Sequence, residues 1–371
     1  MSYESFLAST ISSSMLTDVA NKSLKSLLNK YFVNSGTTLS NDNKLAQVAD
    51  WYKSEQLVFV LGAGVSIAYG LPNWNTLLQK LLLLTLQNDD SSDIDASILA
   101  KTFSSVFEPS SLISARYLQH HFQKSHPNAN LAFESAIREI LYSEITVNEH
   151  SPLLKEIRQY CIAAGRTPNL NSIITYNYDD LLEKCLGDIE VDIPFAPIHS
   201  SGMRNKPNEL PIYHVHGYLP EHGQLTYRNK VILSEVGYHQ QYLDSYGWSN
   251  LSQINKFKDF NCVFIGLSFS DPNLRRILDI AKKERGDDGI HHYCFKEKYD
   301  IAKAKKRLNT AIQGIDEGVD SELDVDGLTA DLVSLAQKFD ENDALSFGIG
   351  VIWVDSYDDI PTKLRAIRSL V

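Results

Sequence analysis

The residues with the clearest chemical potential form a Gly-Ala-Gly-Val-Ser segment at positions 62–66, directly after an apolar run at 57–61. Such a run predicts a strand buried on both faces, and a leucine-rich helical pattern opens soon afterwards. A strand, a glycine turn and a helix in this order let backbone N–H groups approach a pyrophosphate, because glycine has no Cβ to hold the ligand away. The third glycine is Gly70, so the spacing departs from the dinucleotide fingerprint, and a simple tight turn is the alternative interpretation.

Three more predicted strands end in segments that carry an amide, a carboxylate, an imidazole or glycine. In chain order, these are 172–175 before Asn177 and Asp179, 212–216 ending in His216 and followed by Gly217, and 262–265 before the segment 266–271. The carboxyl ends of parallel strands lie at one edge of a sheet, where ligands of open α/β sheets bind. The sequence therefore predicts that four strand ends converge on one crevice, which is a stronger signal than any single motif.

The elements that must position these groups are strands alternating with helices. This order predicts an α/β, Rossmann-like, mostly parallel sheet with helices on both faces. Further strands are expected at 292–295 and 350–354, and a short one at 231–233. Residues 97–165 show helical patterns and no strand pattern, which predicts a helical insertion.

The first 50 residues form a separate region in this interpretation. Their apolar residues recur at helical spacing, so we expect an N-terminal helical arm at 1–50 and a nucleotide-binding domain at 51–371. The arm either packs on its own domain or serves oligomerisation, since an amphipathic face has to be buried somewhere.

Composition excludes some classes of function. The chain has 371 residues and a formal net charge of −11, so nothing makes its surface generally attractive to nucleic acid or to an anionic membrane. Its 4 cysteines include no C-x-x-C pair, which leaves no legible zinc ribbon and fits a reducing compartment. No signal-peptide pattern and no apolar run of ~20 residues is present, so we expect a cytoplasmic protein.

Taken together in this order, the four strand ends resemble the sirtuin-like NAD-binding family over roughly residues 55–300. The matching segments are Gly-Ala-Gly-Val-Ser at 62–66 with Gly-Leu-Pro at 70–72, Thr-Tyr-Asn-Tyr-Asp at 175–179, His-Gly at 216–217 and Gly-Leu-Ser at 266–268. Two departures separate the chain from the deacylases of that family. No cysteine occurs at 206–251, where deacylases carry a zinc module, and Asn73-Trp74-Asn75 stands where they have Asp-Phe-Arg.

The chain is more similar to the sirtuin-like domains of prokaryotic anti-phage defence systems. That resemblance implies an NAD glycohydrolase, which converts NAD to ADP-ribose and nicotinamide and so depletes the infected cell. NAD would be the substrate, and no zinc is expected. The resemblance also implies a homo-oligomer and a protein partner, such as a defence-system ATPase or a phage-derived activator. Alternatives are a non-catalytic sensor of NAD or ADP-ribose and, less favoured, a protein deacylase or ADP-ribosyltransferase.

The resemblance assigns roles to individual residues. Asn177 would position the ribose or the attacking water, His216 would act as general base or orient the ribose, and Asp179 would orient Asn177 or contact the nicotinamide amide. The remaining binding residues are Gly62, Ala63, Gly64, Ser66, Pro72, Trp74, Gly266, Ser268 and Asp271.

Each role has a plainer alternative. Asn177 and Asp179 could be ordinary residues of a strand-to-helix turn, and Trp74 could be a core aromatic. His214 lies two residues before His216 and leaves some ambiguity about which histidine acts, although Gly217 favours His216. The two histidines could also bind a metal, but no third ligand is evident.

Overall fold

The central element of the computed structural model is a seven-stranded sheet in which every neighbouring pair of strands is parallel. The structure describes residues 26, 39–86, 111–126, 131–145, 150–162, 169–188, 193–286, 289–313 and 324–371. The strands are β1 Leu57–Leu61, β2 Leu170–Thr175, β3 Phe195–Ile198, β4 Leu210–His214, β5 Asn261–Ile265, β6 His292–Glu297 and β7 Ile349–Val354, in the spatial order β3-β4-β2-β1-β5-β6-β7.

Helices cover both faces of this sheet. Within the described residues they are α1 Asn41–Lys53, α2 Trp74–Leu86, α3 Ser111–Ser125, α4 Ala132–Tyr142, α5 Pro152–Cys161, α6 Leu181–Gly187, α7 Glu235–Leu243, α8 Trp248–Asp259, α9 Pro272–Arg285, α10 Ile301–Gln313, α11 Val325–Ser346 and α12 Ile360–Ser369. None of these described helices combines the length and the apolar character needed to cross a membrane.

The alternation of side chains along β1 divides the core in two. Leu57, Phe59 and Leu61 belong to one buried cluster, whereas Val58 and Val60 belong to the cluster on the other face. All five residues of β1 are buried, as expected for a strand that lies in the middle of a sheet covered on both faces. The predicted α/β, Rossmann-like architecture is therefore confirmed.

Three details of the predicted strands were wrong. β4 ends at His214 rather than at residue 216, because the chain turns there and the Gly217 N–H donates to the His214 carbonyl. Residues 231–233 form no strand. β3 was not expected, because it contains Pro197 and is only half-buried; proline is tolerated there since β3 is an edge strand.

The domain boundaries remain predictions. Residues 1–25 and 27–38 of the predicted arm lie outside the described residues. Helix α1 runs across residue 50 and buries Leu45, Val48 and Trp51 in the main core, so this helix is continuous with the sheet domain. In the predicted insertion, the described residues form helices α3, α4 and α5.

Candidate active site

The candidate site lies at the topological switch point of the sheet. β2, β3 and β4 lie on one side of β1, and β5, β6 and β7 lie on the other. The switch point of such a sheet opens a crevice between the loops that follow the two strands. Here these are the loops after β1 and β5.

The two loops touch through glycine backbone. The Gly62 N–H donates to the Ile265 carbonyl and the Gly64 N–H to the Gly266 carbonyl, both at 3.0 Å. A Cβ added to Gly62 would lie 2.6 Å from the Gly266 oxygen, and one added to Gly64 would lie 2.7 Å from the Gly266 Cα. Glycine is therefore required at these positions for loop-to-loop packing, a reason that the sequence pattern did not reveal.

The same packing uses donors that were expected to meet a pyrophosphate. The Val65 and Ser66 N–H groups donate to the carbonyls of Gly62 and Ala63 within the first loop. Ala63 and Gly64, which follow β1, are nevertheless exposed. A pyrophosphate held by this loop would share or exchange these hydrogen bonds, so direct contact with phosphate stays a prediction.

A buried hydrogen-bonded relay joins the loops after β1 and β2. The Asn177 Nδ2 donates to Ser66 Oγ at 3.0 Å, and the Ser66 hydroxyl donates to Asp179 Oδ2, also at 3.0 Å. Asp179 also accepts the Leu181 N–H at the start of α6. Burial raises the pKa of the Asp179 carboxyl to about 6, against the opposing effect of these two hydrogen bonds. The relay turns the amide donor of Asn177 toward Ser66 and leaves Asn177 itself partly exposed.

His216 forms a second cluster, just beyond β4. Its Nε2 lies 3.2 Å from Asp271 Oδ2, but the atoms are not aligned for a hydrogen bond, so Nε2 is buried without a hydrogen-bond partner in the described structure. The Tyr176 ring packs edge-on against the imidazole, with centroids 4.7 Å apart. Burial lowers the pKa of His216, and the nearby Asp271 charge opposes that effect. The imidazole is therefore kept neutral with an unused nitrogen.

Asp271 has more roles than the sequence suggested. Its Oδ1 caps helix α9 by accepting the Leu274 N–H at 2.7 Å, and its Oδ2 accepts the Tyr238 hydroxyl at 2.7 Å. The Tyr238 ring also lies edge-on to His216, with centroids 5.9 Å apart. Tyr238 lies in α7, in a stretch that carries no motif, and sequence reasoning did not identify it.

The turn after His216 depends on Gly217, whose φ is +113°. A Cβ at this position would lie 2.5 Å from the Lys230 carbonyl oxygen. The Ile232 N–H donates to the His216 carbonyl at 2.8 Å, so the segment that was expected to form a strand instead fixes the backbone of His216.

The loop after β5 also has an unusual backbone. Gly266 has φ +70°, and Phe269 has φ +58°, a left-handed conformation that is uncommon for a bulky residue. Such strain costs on the order of 1–3 kcal/mol and tends to occur at functional sites. Ser268 is exposed in this loop, and its hydroxyl hydrogen-bonds that of Ser270 at 2.7 Å.

Pro72 and Trp74 lie at the start of α2. Asn73 caps this helix by accepting the Thr76 N–H. Trp74 packs against the main core while its Nε1 is buried with no described hydrogen-bond partner, and Pro72 is partly exposed. No described hydrogen bond joins either residue to the Asn177 relay or to His216.

The two neighbouring histidines have different surroundings. Nδ1 of His214 lies 3.2 Å from the Asn177 carbonyl oxygen, and its Nε2 lies 2.7 Å from Glu183 Oε1. His216 instead faces Asp271. Among the described residues, no group of three histidine, cysteine, aspartate or glutamate side chains could hold a metal ion.

A family model described as a SIR2-like domain matches residues 171–316. This part of the chain is therefore similar to SIR2-like domains. The matched region begins in β2 and contains Asn177, His216 and Gly266, while the glycine loop after β1 precedes it. The family predicted from the four strand ends is therefore confirmed.

Similarity to curated proteins extends over most of the chain. The NAD(+) hydrolase ThsA of Enterococcus faecium is 23% identical over 308 residues, covering 83% of this chain and 54% of that protein. The proteins of the same name from Cytobacillus dafuensis and Acinetobacter baumannii (strain 532279) are 25% and 26% identical, each covering 82% of this chain and 51% and 52% of their own length. The chain thus spans about half the length of the curated relatives it matches.

Proposed function

We propose that this chain hydrolyses NAD to ADP-ribose and nicotinamide. The observation that carries the proposal is the pairing of two polar clusters beside the β1–β5 switch point: Asn177 in its relay with Ser66 and Asp179, and His216 facing Asp271. Support also comes from the SIR2-like domain and from relatives named NAD(+) hydrolases.

The reaction breaks the bond between ribose C1′ and the pyridinium nitrogen. The bonding electrons neutralise the pyridinium, so nicotinamide leaves without an acid, and the sugar passes through an oxocarbenium-like transition state. Water then adds its oxygen to C1′ and gives its proton to a base. The site must hold the ribose, place this water and exclude other water.

In this proposal His216 is the base. A buried neutral imidazole with an unused Nε2 can accept a hydrogen bond and then a proton from the water or from a ribose hydroxyl. The Asp271 carboxylate, 3.2 Å away, would stabilise the imidazolium that forms. Asn177 orients the ribose or the water, and Asp179 holds Asn177 through Ser66.

The wider role follows from the resemblance. We infer an effector of anti-phage defence that acts by depleting NAD, as a homo-oligomer with a partner ATPase or a phage-derived activator. Location in the cytoplasm, the absence of zinc and the remaining binding residues likewise stay predictions.

The test is nicotinamide and ADP-ribose release from NAD by the purified chain, with and without a candidate activator. We expect Asn177→Ala to lower turnover by about a hundredfold, the scale of a lost positioning contact. Asn171→Ala is the matched control, because Asn171 lies near the other end of β2 and bonds Lys256 instead.

Three outcomes would redirect the assignment. Full turnover by Asn177→Ala would contradict the proposed site. Binding of NAD without turnover under every condition would favour a non-catalytic sensor. Removal of the acyl group from an acylated peptide would favour a protein deacylase.

A further inference from the structure

His214 is buried between two groups that accept hydrogen bonds. Nδ1 lies 3.2 Å from the Asn177 carbonyl oxygen, and Nε2 lies 2.7 Å from Glu183 Oε1. The side chains of His214 and Glu183 are 1% and 8% exposed. The second carboxylate oxygen of Glu183 is buried and has no described hydrogen-bond partner, so His214 provides the compensation for this carboxyl group.

Counting hydrogen atoms constrains this arrangement. A carbonyl oxygen can only accept, so Nδ1 of His214 must carry a hydrogen, and a neutral imidazole then has none on Nε2. A bare Nε2 facing an ionised carboxylate would place lone pairs together at 2.7 Å. The pair therefore holds one proton more than a neutral histidine and an ionised glutamate. The Tyr218 ring, with its centroid 4.4 Å from that of His214, favours the proton on the imidazole.

We propose that His214 and Glu183 form a buried imidazolium–carboxylate pair that positions Asn177 by fixing its backbone carbonyl. The side-chain amide of Asn177 is held from the other side by Ser66, so the residue is fixed at both its backbone and its side chain. His214 and Glu183 are thus positioning residues, and their effect on catalysis rests on the proposed NAD hydrolysis.

Other titratable groups surround the pair. Asp179 lies close enough for the Glu183 charge to raise the pKa of its carboxyl and the His214 charge to lower it, both smaller effects than burial. Burial, with a contribution from His214, lowers the pKa of His199 to about 4, so His199 stays neutral.

Two variants test the proposal through turnover. His214→Phe removes the donor to Asn177, and we expect kcat to fall roughly tenfold to a hundredfold with KM little changed. In Glu183→Gln, the new amide can donate to Nε2 and leave the hydrogen on Nδ1, so kcat should stay close to wild type.

His292→Phe is the matched control, since His292 is also buried but lies at the amino end of β6, away from the loop that carries Asn177. This variant should keep the kcat of the wild type. Unchanged kcat in a folded His214→Phe protein, or a Glu183→Gln kcat as low as that of His214→Phe, would overturn the inference while NAD hydrolysis stands.

A second measurement does not depend on NAD. In protein labelled with ¹⁵N-histidine, the nitrogen shifts of His214 should show both ring nitrogens protonated in the wild type and only Nδ1 protonated in Glu183→Gln. A wild-type His214 with a bare Nδ1 would overturn the pair. If the wild type releases no nicotinamide, the proposed function fails, and the nitrogen shifts still decide the state of the pair.

Discussion

Two buried histidines, His216 and His292, lie at opposite ends of the strands and differ in their hydrogen bonds. His216 follows the carboxyl end of β4, whereas His292 lies at the amino end of β6. His292 starts β6, and its Nδ1 accepts the Cys262 N–H at 3.1 Å. Burial lowers the pKa of His292 to about 3, and burial also lowers that of His216. Of these two residues, only His216 combines burial with an unbonded Nε2 beside a carboxylate. Burial alone therefore does not distinguish the proposed base from His292, whereas the unbonded Nε2 beside Asp271 does.

The largest expected effect separates these two histidines directly. His216→Ala removes the proposed base, so turnover of NAD should fall by about 10²–10⁴-fold. His292→Ala leaves the Cys262 N–H buried without its partner, which should lower the free energy of unfolding by about 1–3 kcal/mol with turnover preserved. Steady-state kinetics and urea unfolding of both variants measure the contrast. A folded His292→Ala protein without turnover would erase the distinction.

A smaller effect concerns the close loops at the carboxyl edge. In Gly64→Ala, the new Cβ would lie 2.7 Å from the Gly266 backbone, which should cost about 1–3 kcal/mol of stability and weaken NAD binding. Gly187→Ala is the control, because its Cβ would meet nothing within 4 Å. Urea unfolding and calorimetric titration with NAD would report both quantities. Equal behaviour of the two variants would show that the loops are not tightly packed.

The smallest expected effect is a pH dependence of stability. Because burial raises the folded-state pKa of Asp179 to about 6, its contribution to the free energy of unfolding is fully present below pH ~4. This contribution is lost as the pH rises through 6. Between pH 5 and 8, the free energy of unfolding of the wild type should fall by on the order of 1 kcal/mol more than that of Asp179→Asn.

His292 acts in the opposite direction. Its lowered pKa makes the protein less stable as the pH falls below ~6.5 toward 3. Both proteins contain His292, so its contribution cancels when the free energy of unfolding of Asp179→Asn is subtracted from that of the wild type at each pH. If this difference does not change with pH, Asp179 is ionised in the folded protein as it is in the unfolded chain.

The sequence predicted the centre of the sheet well, because β1 is a continuous apolar run and β2 and β5 each contain a short apolar run that is buried. Parallel topology predicted that the loops after β1 and β2 would meet, and Asn177 does contact Ser66. His216 instead faces Asp271 in the loop after β5. The end of β4 was misplaced, since alternating residues up to 216 look like a strand and the turn at Gly217 depends on its packing against Lys230.

Long-range contacts were beyond the sequence. Tyr238 approaches His216 only because α7 packs near the start of α9, and no local pattern encodes that approach. The bridge from Glu183 through His214 to Asn177 joins α6, β4 and the loop after β2. His214 looked ambiguous because two histidines two residues apart on a strand would share one face, and the early end of β4 separates them.

The contact between the loops after β1 and β5 has a consequence for how this protein can vary. Gly266 is far from Gly62 and Gly64 in the chain, yet a Cβ at any of the three positions would meet the backbone of the opposite loop. Once an alanine at one position has pushed the loops apart, a second alanine meets space that is already open, so the two penalties combine less than additively. For Gly62 and Gly64, losing one glycine therefore relaxes the constraint on the other, whereas Gly266 keeps a requirement of its own because its φ is +70°.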